Sequence, residues 1–228
     1  MINYCKLIFW NYFLFTKNKK VIQLFSKHLL ERYNGIDTQH YTNEEKKIVF
    51  IHNPKAAGNT IKDILDISKN KTTHVTPSLL IPKSVWESYH TVMAVRHPFD
   101  RLISSYNYHT QKSYLGYYLE KFPNLHNLGI EEYFNIMKDE VFAIRPQSEY
   151  MQHLLSEKIV DSIIRYESLE QDLKTFCEKL GMNFSSIPHL NPSSKKISIS
   201  WKTQKESFKK EVFEFYKNDF ETFDYVIH

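Results

Sequence analysis

The stretch that decides the fold is residues 47–60, which read Lys47-Ile48-Val49-Phe50-Ile51-His52-Asn53-Pro54-Lys55-Ala56-Ala57-Gly58-Asn59-Thr60. Its first part is a short run of apolar side chains rich in β-branched residues, which is typical of a parallel strand buried on both faces. Asn53-Pro54 ends that strand. Past Gly58, apolar side chains return at helical spacing as far as Ile67. The stretch therefore predicts a strand, a turn and a helix in that order.

The same order of elements recurs twice along the chain. Residues 92–95 form the second predicted strand, with a helix over 99–109 after it. Residues 163–166 form the third, and the helix after it begins at Ser168 and ends at Gly181. Further helices are predicted at residues 21–33, 130–137, 148–155 and 203–217. Strands that alternate with helices predict an α/β protein with a parallel sheet, helices on both faces, and ligands at the carboxyl ends of the strands.

Composition excludes several classes of protein. The chain has 228 residues, 15% of them aromatic, which is enough to bury a core and too apolar for a disordered chain. Five glycines exclude glycine-rich repeats, and two cysteines with no CxxC spacing exclude a disulfide framework or a zinc-finger site. A net charge of +4 does not call for nucleic acid, and no nucleic-acid partner is expected. It permits an anionic ligand.

The amino-terminal stretch is apolar and aromatic over residues 7–15 and is followed by lysines. It is too short for a membrane span, which needs about twenty apolar residues. Two interpretations remain: a helix that packs on the domain, or a weak interfacial anchor at a membrane surface. We divide the chain into an N-terminal helical extension, residues 1–45, and a main domain, residues 46–228.

The turn after the first strand has the composition of a phosphate-binding loop. Small residues at Ala56, Ala57 and Gly58 let the backbone approach a phosphate closely, and the helix that follows points its N–H groups toward it. Lys55 supplies a positive charge and Thr60 a hydroxyl. An ordinary strand-to-helix turn would gain nothing from the lysine. The order differs from the nucleoside-triphosphate loop G-x-x-x-x-G-K-[ST], because here the lysine precedes a single glycine.

The turn after the second strand has a similar character. Arg96 stands at the strand end and Ser104 two helical turns beyond, so a guanidinium and a hydroxyl could reach a second anionic group. Arg101 suits the helix surface or an ion pair with Asp100 or Glu132. Anion sites at two neighbouring strand ends predict a ligand that is phosphorylated at two places.

These two turns carry a resemblance to a known family. Residues 54–60 resemble the 5′-phosphosulfate loop, and residues 96–106 the 3′-phosphate motif, of sulfotransferases that use 3′-phosphoadenosine 5′-phosphosulfate (PAPS). The pattern is most similar to the carbohydrate group that contains the heparan and dermatan 2-O and the chondroitin 4-O enzymes. Residues 164–169, 189–193 and 219–225 extend the resemblance. Asn59 stands where family members usually carry Thr or Ser, although its amide can also donate to phosphate.

The resemblance implies a P-loop-like three-layer fold, with a central parallel sheet flanked by helices, and transfer of a sulfuryl group from PAPS without a metal. The acceptor would be a hydroxyl of a glycan or a lipid-linked sugar. The implied PAPS-binding residues are Lys55, Ala56, Ala57, Gly58, Asn59, Thr60, Arg96, Ser104 and Lys195. Sulfuryl transfer needs a cation at the leaving phosphate and a general base at the acceptor. We assign these roles to Lys55 and His74.

Alternatives stay open at several points. His52, His97 and Glu167 are rival candidates for the base. Residues 189–200 are either a basic flap over the ligand or a solvated loop, and Arg145 meets an acidic acceptor or is a surface residue. Tyrosines that could either stack on sugars or pack in the core are Tyr106, Tyr108, Tyr114, Tyr117 and Tyr118.

A P-loop-type kinase and a non-catalytic phosphonucleotide-binding module are the alternative functions. We expect a cytoplasmic protein, with weak peripheral contact at the inner membrane face through the N-terminus as a further hypothesis.

Overall fold

The computed structural model describes residues 38–68, 74, 76–77, 81–111, 113–140, 144–153, 155–184, 186–187 and 199–227. The predicted helix at residues 21–33, most of the N-terminal extension, and Lys195 lie outside the described residues.

The sheet has four strands in the order β1-β2-β3-β4. Their bounds are β1 Thr42–Asn43, β2 Ile48–Ile51, β3 His90–Val95 and β4 Ser162–Arg165. β2, β3 and β4 are parallel, with Phe50 opposite Val92 and Ala94 opposite Ile164. The three predicted strands and their parallel arrangement are confirmed. β1 is a short antiparallel edge strand on β2 that the sequence did not predict.

Helices follow each of the parallel strands. Their bounds are α1 Gly58–Ile64, α2 Lys83–Ser88, α3 Pro98–Thr110, α4 Tyr117–Lys121, α5 Ile130–Met137, α6 Leu169–Lys179, α7 Glu206–Phe215 and α8 Lys217–Thr222. Short 3₁₀ turns lie at Thr38–His40, Leu125–Asn127, Gln147–Tyr150, Tyr166–Ser168 and Trp201–Thr203. Gly181 ends the segment after α6 with φ +64°, a conformation that favours glycine.

Two helix predictions need correction. The helix expected at residues 148–155 is only a 3₁₀ turn over Gln147–Tyr150. Beyond it the chain turns back and pairs with the segment before β4 through a bridge of Gln152 to Ile159. The helix expected at 203–217 starts at Glu206 and ends at Phe215, and α8 begins at Lys217 after a break at Tyr216. A further difference concerns Ser168, whose side chain makes no capping hydrogen bond.

The sheet lies between two layers, because alternate side chains of its strands pack against helices on opposite faces. On one face, Phe50 and Ala94 pack against α1 and α6. On the other, Val49 and Val95 pack against Trp86 of α2 and against Tyr150. A third apolar cluster joins α3, α5, α7 and α8. The structure is thus a mixed α/β fold with a mostly parallel central sheet flanked by helices, consistent with the P-loop-like prediction.

Candidate functional site

The loop between β2 and α1 is bent by two residues with left-handed backbone. Lys55 has φ 66° and Ala57 has φ 61°, although neither is glycine. Each such residue costs about 1–2 kcal/mol, and strain of this kind is concentrated at functional sites. Backbone N–H groups in a run of alternating conformations form a concave anion-binding surface. The two left-handed residues and the small side chains of this loop are compatible with such an anion-binding surface.

His52 packs directly on this loop. A Cβ built on Gly58 would lie 2.0 Å from Nε2 of His52, far inside contact distance, so the position accepts only glycine while the ring stays in place. His52 is 8% exposed, and its Nδ1 has no hydrogen-bond partner among the described residues. Burial lowers the pKa of His52 far below its usual value, with His74 and Lys62 acting in the same direction. The ring is therefore neutral.

Lys55 projects from the loop toward α3. Its Nζ lies 4.0 Å from the centroid of the Tyr108 ring. None of the ion pairs within the described ranges involves Lys55. Burial, and then the charge of Arg96, lower the pKa of Lys55 to about 8. Most of the population is still charged at pH 7, so the loop presents a desolvated cation.

Arg96 lies at the carboxyl end of β3 and reaches across to the loop. Its Nη1 donates to the Lys55 carbonyl oxygen at 3.4 Å, and its guanidinium stacks 4.1 Å from the Tyr166 ring centroid. Its Nε is buried and has no partner within the described part of the chain. A guanidinium that lacks a carboxylate and keeps a buried donor unpaired is suited to an anionic ligand.

The other predicted ligand residues lie at the same two strand ends. Asn59 is exposed and Thr60 partly buried in the first turn of α1, next to Gly58. Ala56 is buried in the loop. Ser104 is partly buried on α3, the helix that begins two residues after Arg96. The structure joins Lys55 and Arg96 directly and places the other described residues on the loop, α1 and α3 that follow the two strands, while Lys195 lies outside the described ranges.

His74 lies beside the loop, in edge-on contact with His52, with ring centroids 4.7 Å apart. Its Nδ1 lies 3.3 Å from the His52 carbonyl oxygen and donates to it, which leaves Nε2 with its lone pair. Burial lowers the pKa of His74, the hydrogen bond to His52 opposes that shift, and Lys55 and Lys62 add to it. A neutral imidazole with one nitrogen anchored to a carbonyl is in the protonation state that a general base requires.

Two of the three rival candidates for the base, His97 and Glu167, are engaged elsewhere, whereas the Nδ1 of His52 keeps no partner among the described residues. His97 Nε2 donates to the Val226 carbonyl oxygen at 3.0 Å. One carboxylate oxygen of Glu167 accepts from the His97 backbone N–H at 2.6 Å, and the other from the Tyr225 hydroxyl at 3.0 Å. These contacts attach the C-terminal segment to the ends of β3 and β4.

Sequence reasoning misjudged or missed several residues near the site. Arg101 is not a surface residue: it is 1% exposed and donates to the carbonyl oxygens of Ile144 and Arg145. His109 lies three residues beyond the stretch 96–106 that resembles the 3′-phosphate motif. Its Nδ1 lies 2.6 Å from the Tyr133 hydroxyl, and burial, Lys55 and His74 lower its pKa to about 3. The one available signal was the four-residue spacing of Ser105 and His109, which places both on one side of α3.

Two further alternatives can be compared with the structure. Arg145 forms an ion pair with Glu149. Of the five tyrosines, Tyr106, Tyr114 and Tyr118 are buried, whereas Tyr108 is 45% and Tyr117 37% exposed. Only Tyr108 and Tyr117 have the exposure that stacking on a ligand requires.

An α/β sheet with a cationic phosphate-type loop after one strand, and an arginine after its neighbour, is an arrangement suited to an anionic ligand at the strand ends. The family follows from sequence comparison. The chain belongs to the sulfotransferase family, whose model matches residues 38–226. Neither a curated protein nor a solved structure matches the chain significantly. The family match begins ahead of residue 46, and the division of the chain at that point stays a prediction.

Two further features of the described residues concern membranes and metal ions. No helix in the described ranges is both long and apolar enough to cross a bilayer. Among the same residues, no group of three or more His, Cys, Asp or Glu side chains is arranged to hold a metal ion.

Proposed function

We propose that this protein transfers a sulfuryl group from PAPS to a hydroxyl of a glycan or a lipid-linked sugar. The observation that carries the proposal is the pairing of Lys55 and Arg96. The two cations lie on neighbouring strand ends, joined by the bond from Arg96 Nη1 to the Lys55 carbonyl oxygen, and neither has a carboxylate partner within the described ranges.

The residues present fit the donor. PAPS carries a 5′-phosphosulfate, for which the Lys55–Thr60 loop has the positive charge and two left-handed residues, and a 3′-phosphate, for which Arg96 has a buried Nε with no partner among the described residues. Ser104 lies on α3, the helix that follows Arg96, and we assign its hydroxyl to the same phosphate. When bound, PAPS would supply an activated sulfuryl group whose bond to the phosphate oxygen breaks as a bond to the acceptor oxygen forms.

In this proposal His74 takes the acceptor proton on Nε2, because Nδ1 is anchored to the His52 carbonyl. The imidazolium that forms keeps its hydrogen bond to that carbonyl, which favours the charged form. Lys55 stabilises the negative charge that develops on the leaving phosphate oxygen, in a desolvated place where such an interaction is strong. The general base contributes a factor of about 10²–10⁴ in rate.

A sugar acceptor is supported by the resemblance of the two loops to carbohydrate sulfotransferases and by Tyr108. This side chain is 45% exposed beside Lys55 and offers an aromatic surface to a sugar ring. A cytoplasmic location with peripheral attachment at the inner membrane face remains part of the proposal. Complete recovery in the soluble fraction, with no binding to liposomes, would remove the attachment.

The test is incubation with labelled PAPS and a panel of glycans and lipid-linked sugars, with calorimetry against adenosine 3′,5′-bisphosphate in parallel. We expect binding of the bisphosphate and transfer of label to a sugar, both reduced in Lys55→Ala. Absence of bisphosphate binding would overturn the proposal. Magnesium-dependent ATP turnover would favour the kinase, and bisphosphate binding without transfer to any acceptor would favour the non-catalytic module.

A further inference from the structure

One buried amide joins the two halves of the candidate site. Oε1 of Gln147 accepts from Asn53 Nδ2 at 2.8 Å and from the Arg96 backbone N–H at 2.9 Å. Its Nε2 donates to the Arg96 carbonyl oxygen at 2.8 Å. Gln147 and Asn53 are both fully buried. The side chain of Gln147 therefore binds both backbone polar groups of Arg96 and the residue two positions before Lys55.

Asn53 connects this amide to the sheet. It lies two residues after the end of β2, and its Nδ2 also donates to the Ala94 carbonyl oxygen of β3 at 3.3 Å. The ends of β2 and β3 are thereby linked beyond the last residues that pair as strands. Because the phosphate-type loop starts from Asn53 and the second cation is Arg96, this link defines the distance between the two anion-binding positions.

Gln147 is held in turn from the opposite side. Its backbone N–H donates to Oδ2 of Asp219 at 2.8 Å, and the backbone N–H and hydroxyl of Ser148 donate to Oδ1 at 2.8 and 2.7 Å. Asp219 lies on α8 and is fully buried. Gln147 is thus anchored to a helix outside the sheet as well as to the strand ends that its side chain connects.

We propose that Gln147 is a positioning residue that fixes the spacing of the two anion sites, and so makes the protein select nucleotides phosphorylated at both the 3′ and the 5′ position. The inference rests on the proposed function, because it takes the Lys55 loop and Arg96 as the two phosphate sites. It goes beyond that function in assigning the preference for two phosphates over one to a side chain that touches neither phosphate.

The test compares the affinities of adenosine 3′,5′-bisphosphate and adenosine 5′-monophosphate by calorimetry. The variants are Gln147→Met, which has a similar shape and no hydrogen bonds of this kind, and Gln147→Glu. Tyr216→Phe is the matched control, since it removes one buried hydrogen bond, to the Ile144 carbonyl oxygen at 2.7 Å, without touching Asn53 or Arg96. Thermal unfolding shows which variants fold, and affinities are compared in those.

We expect the ratio of the two affinities to fall by about tenfold in Gln147→Met, since small misplacement of binding groups has effects of this size, and to stay unchanged in Tyr216→Phe. In Gln147→Glu the carboxylate cannot donate to the Arg96 carbonyl until it is protonated. Burial and the neighbouring Asp219 favour protonation, whereas Arg96 and Arg101 oppose it, so the ratio, compared with wild type at each pH, should recover as the pH is lowered.

A ratio within twofold of wild type in a folded Gln147 variant, with no pH-dependent recovery in Gln147→Glu, would overturn the inference. The proposed sulfuryl transfer would be unaffected by that result, provided that the wild-type protein binds the bisphosphate. Failure of the wild-type protein to bind the bisphosphate would instead overturn the proposed function.

Discussion

The imidazole of His52 occupies the space in which a side chain at residue 58 would lie. A Cβ on Gly58 would approach Nε2 of His52 to 2.0 Å and its Cδ2 to 2.3 Å. The same His52 provides the carbonyl oxygen that anchors His74. Because Gly58 has no side chain, His52 can pack against the phosphate-type loop and at the same time hold the candidate base His74 through its carbonyl oxygen.

Replacing Gly58 by alanine should disrupt this arrangement. Since the ring cannot move without disturbing the contact with His74, we expect a loss of about 1–3 kcal/mol in the free energy of unfolding, as for other overpacked sites. Bisphosphate binding should weaken with it, and calorimetry and urea unfolding measure the two effects. In the double variant His52→Ala/Gly58→Ala, the clash is gone and the effect of the alanine at 58 should be smaller.

Gly129→Ala is the control for this experiment. A Cβ there would meet only Glu132 Oε2, at 3.6 Å, which is an ordinary contact. Equal losses in the two single variants, or no relief in the double variant, would contradict the role given to His52.

The ionisation of Lys55 should limit activity at high pH. Burial and then Arg96 lower the pKa of Lys55 to about 8. The positive charge of the Lys55 ammonium is therefore present below this pH and is lost as the pH rises through it. We expect kcat/KM, which follows ionisation of the free protein, to decline above about pH 8. Lys55→Arg should be slower at its optimum, because the planar guanidinium is placed differently, but its decline at high pH should be absent, because arginine stays charged.

The control is Lys158→Arg, at a lysine that pairs with Asp161. Its pH profile should match that of wild type. A decline near pH 8 that persists in Lys55→Arg would assign the ionisation to another group.

How much of this could be predicted from sequence depends on the range of the interactions. The strands Ile48–Ile51 and His90–Val95 are runs of apolar residues with local stop signals, so their identity was evident in the sequence. The helix predicted at 148–155 was wrong because Gln147 and Ser148 bind Asp219, about seventy residues later, which local pattern does not reveal. The phosphate-type loop around Lys55 could likewise be predicted from the local sequence. Its contact with Tyr108 and the anchoring of His74 on His52 exist only in the folded chain.

Tyr108 should matter through its ring rather than its hydroxyl. With the Lys55 ammonium 4.0 Å from the ring centroid, a cation–π interaction orients the side chain. Tyr108→Phe should retain nearly full activity, and Tyr108→Leu should lower kcat/KM by about fivefold, as expected from a contact of about 1 kcal/mol. Tyr117→Leu, at the other exposed tyrosine, is the comparison. Equal activity of the Phe and Leu variants would show that the ring is not needed.

Arg101 should be important for stability. It is buried, and it donates to Ile144 O at 3.2 Å, Arg145 O at 2.5 Å and Asn53 Oδ1 at 3.4 Å. Arg101→Met removes all three bonds and leaves the Arg145 carbonyl oxygen and Asn53 Oδ1 without this donor, while Ile144 O still accepts from Tyr216, so we expect the free energy of unfolding to fall by about 3 kcal/mol in urea titrations. Arg145→Met removes a partly exposed ion pair with Glu149 and should cost less than about 1 kcal/mol. Similar stabilities of the two variants would contradict the structural role of Arg101.

His74 should be required for transfer but not for binding. Its Nδ1 is held by the His52 carbonyl oxygen and Nε2 keeps its lone pair, so His74→Ala removes the proton acceptor and leaves the loop and Arg96 in place. We expect kcat to fall by about 10²–10⁴, with bisphosphate affinity within a few-fold of wild type. Burial lowers the pKa of His74, so the wild-type rate should decline only below about pH 6.5.

His90→Ala is the control and should leave kcat unchanged, because His90 lies at the opposite end of β3, where it binds Ser162. Near-normal turnover in His74→Ala, measured as labelled sulfate transferred, would move the base to another residue, with His109 next to be replaced because it is the other histidine that interacts electrostatically with Lys55 and His74.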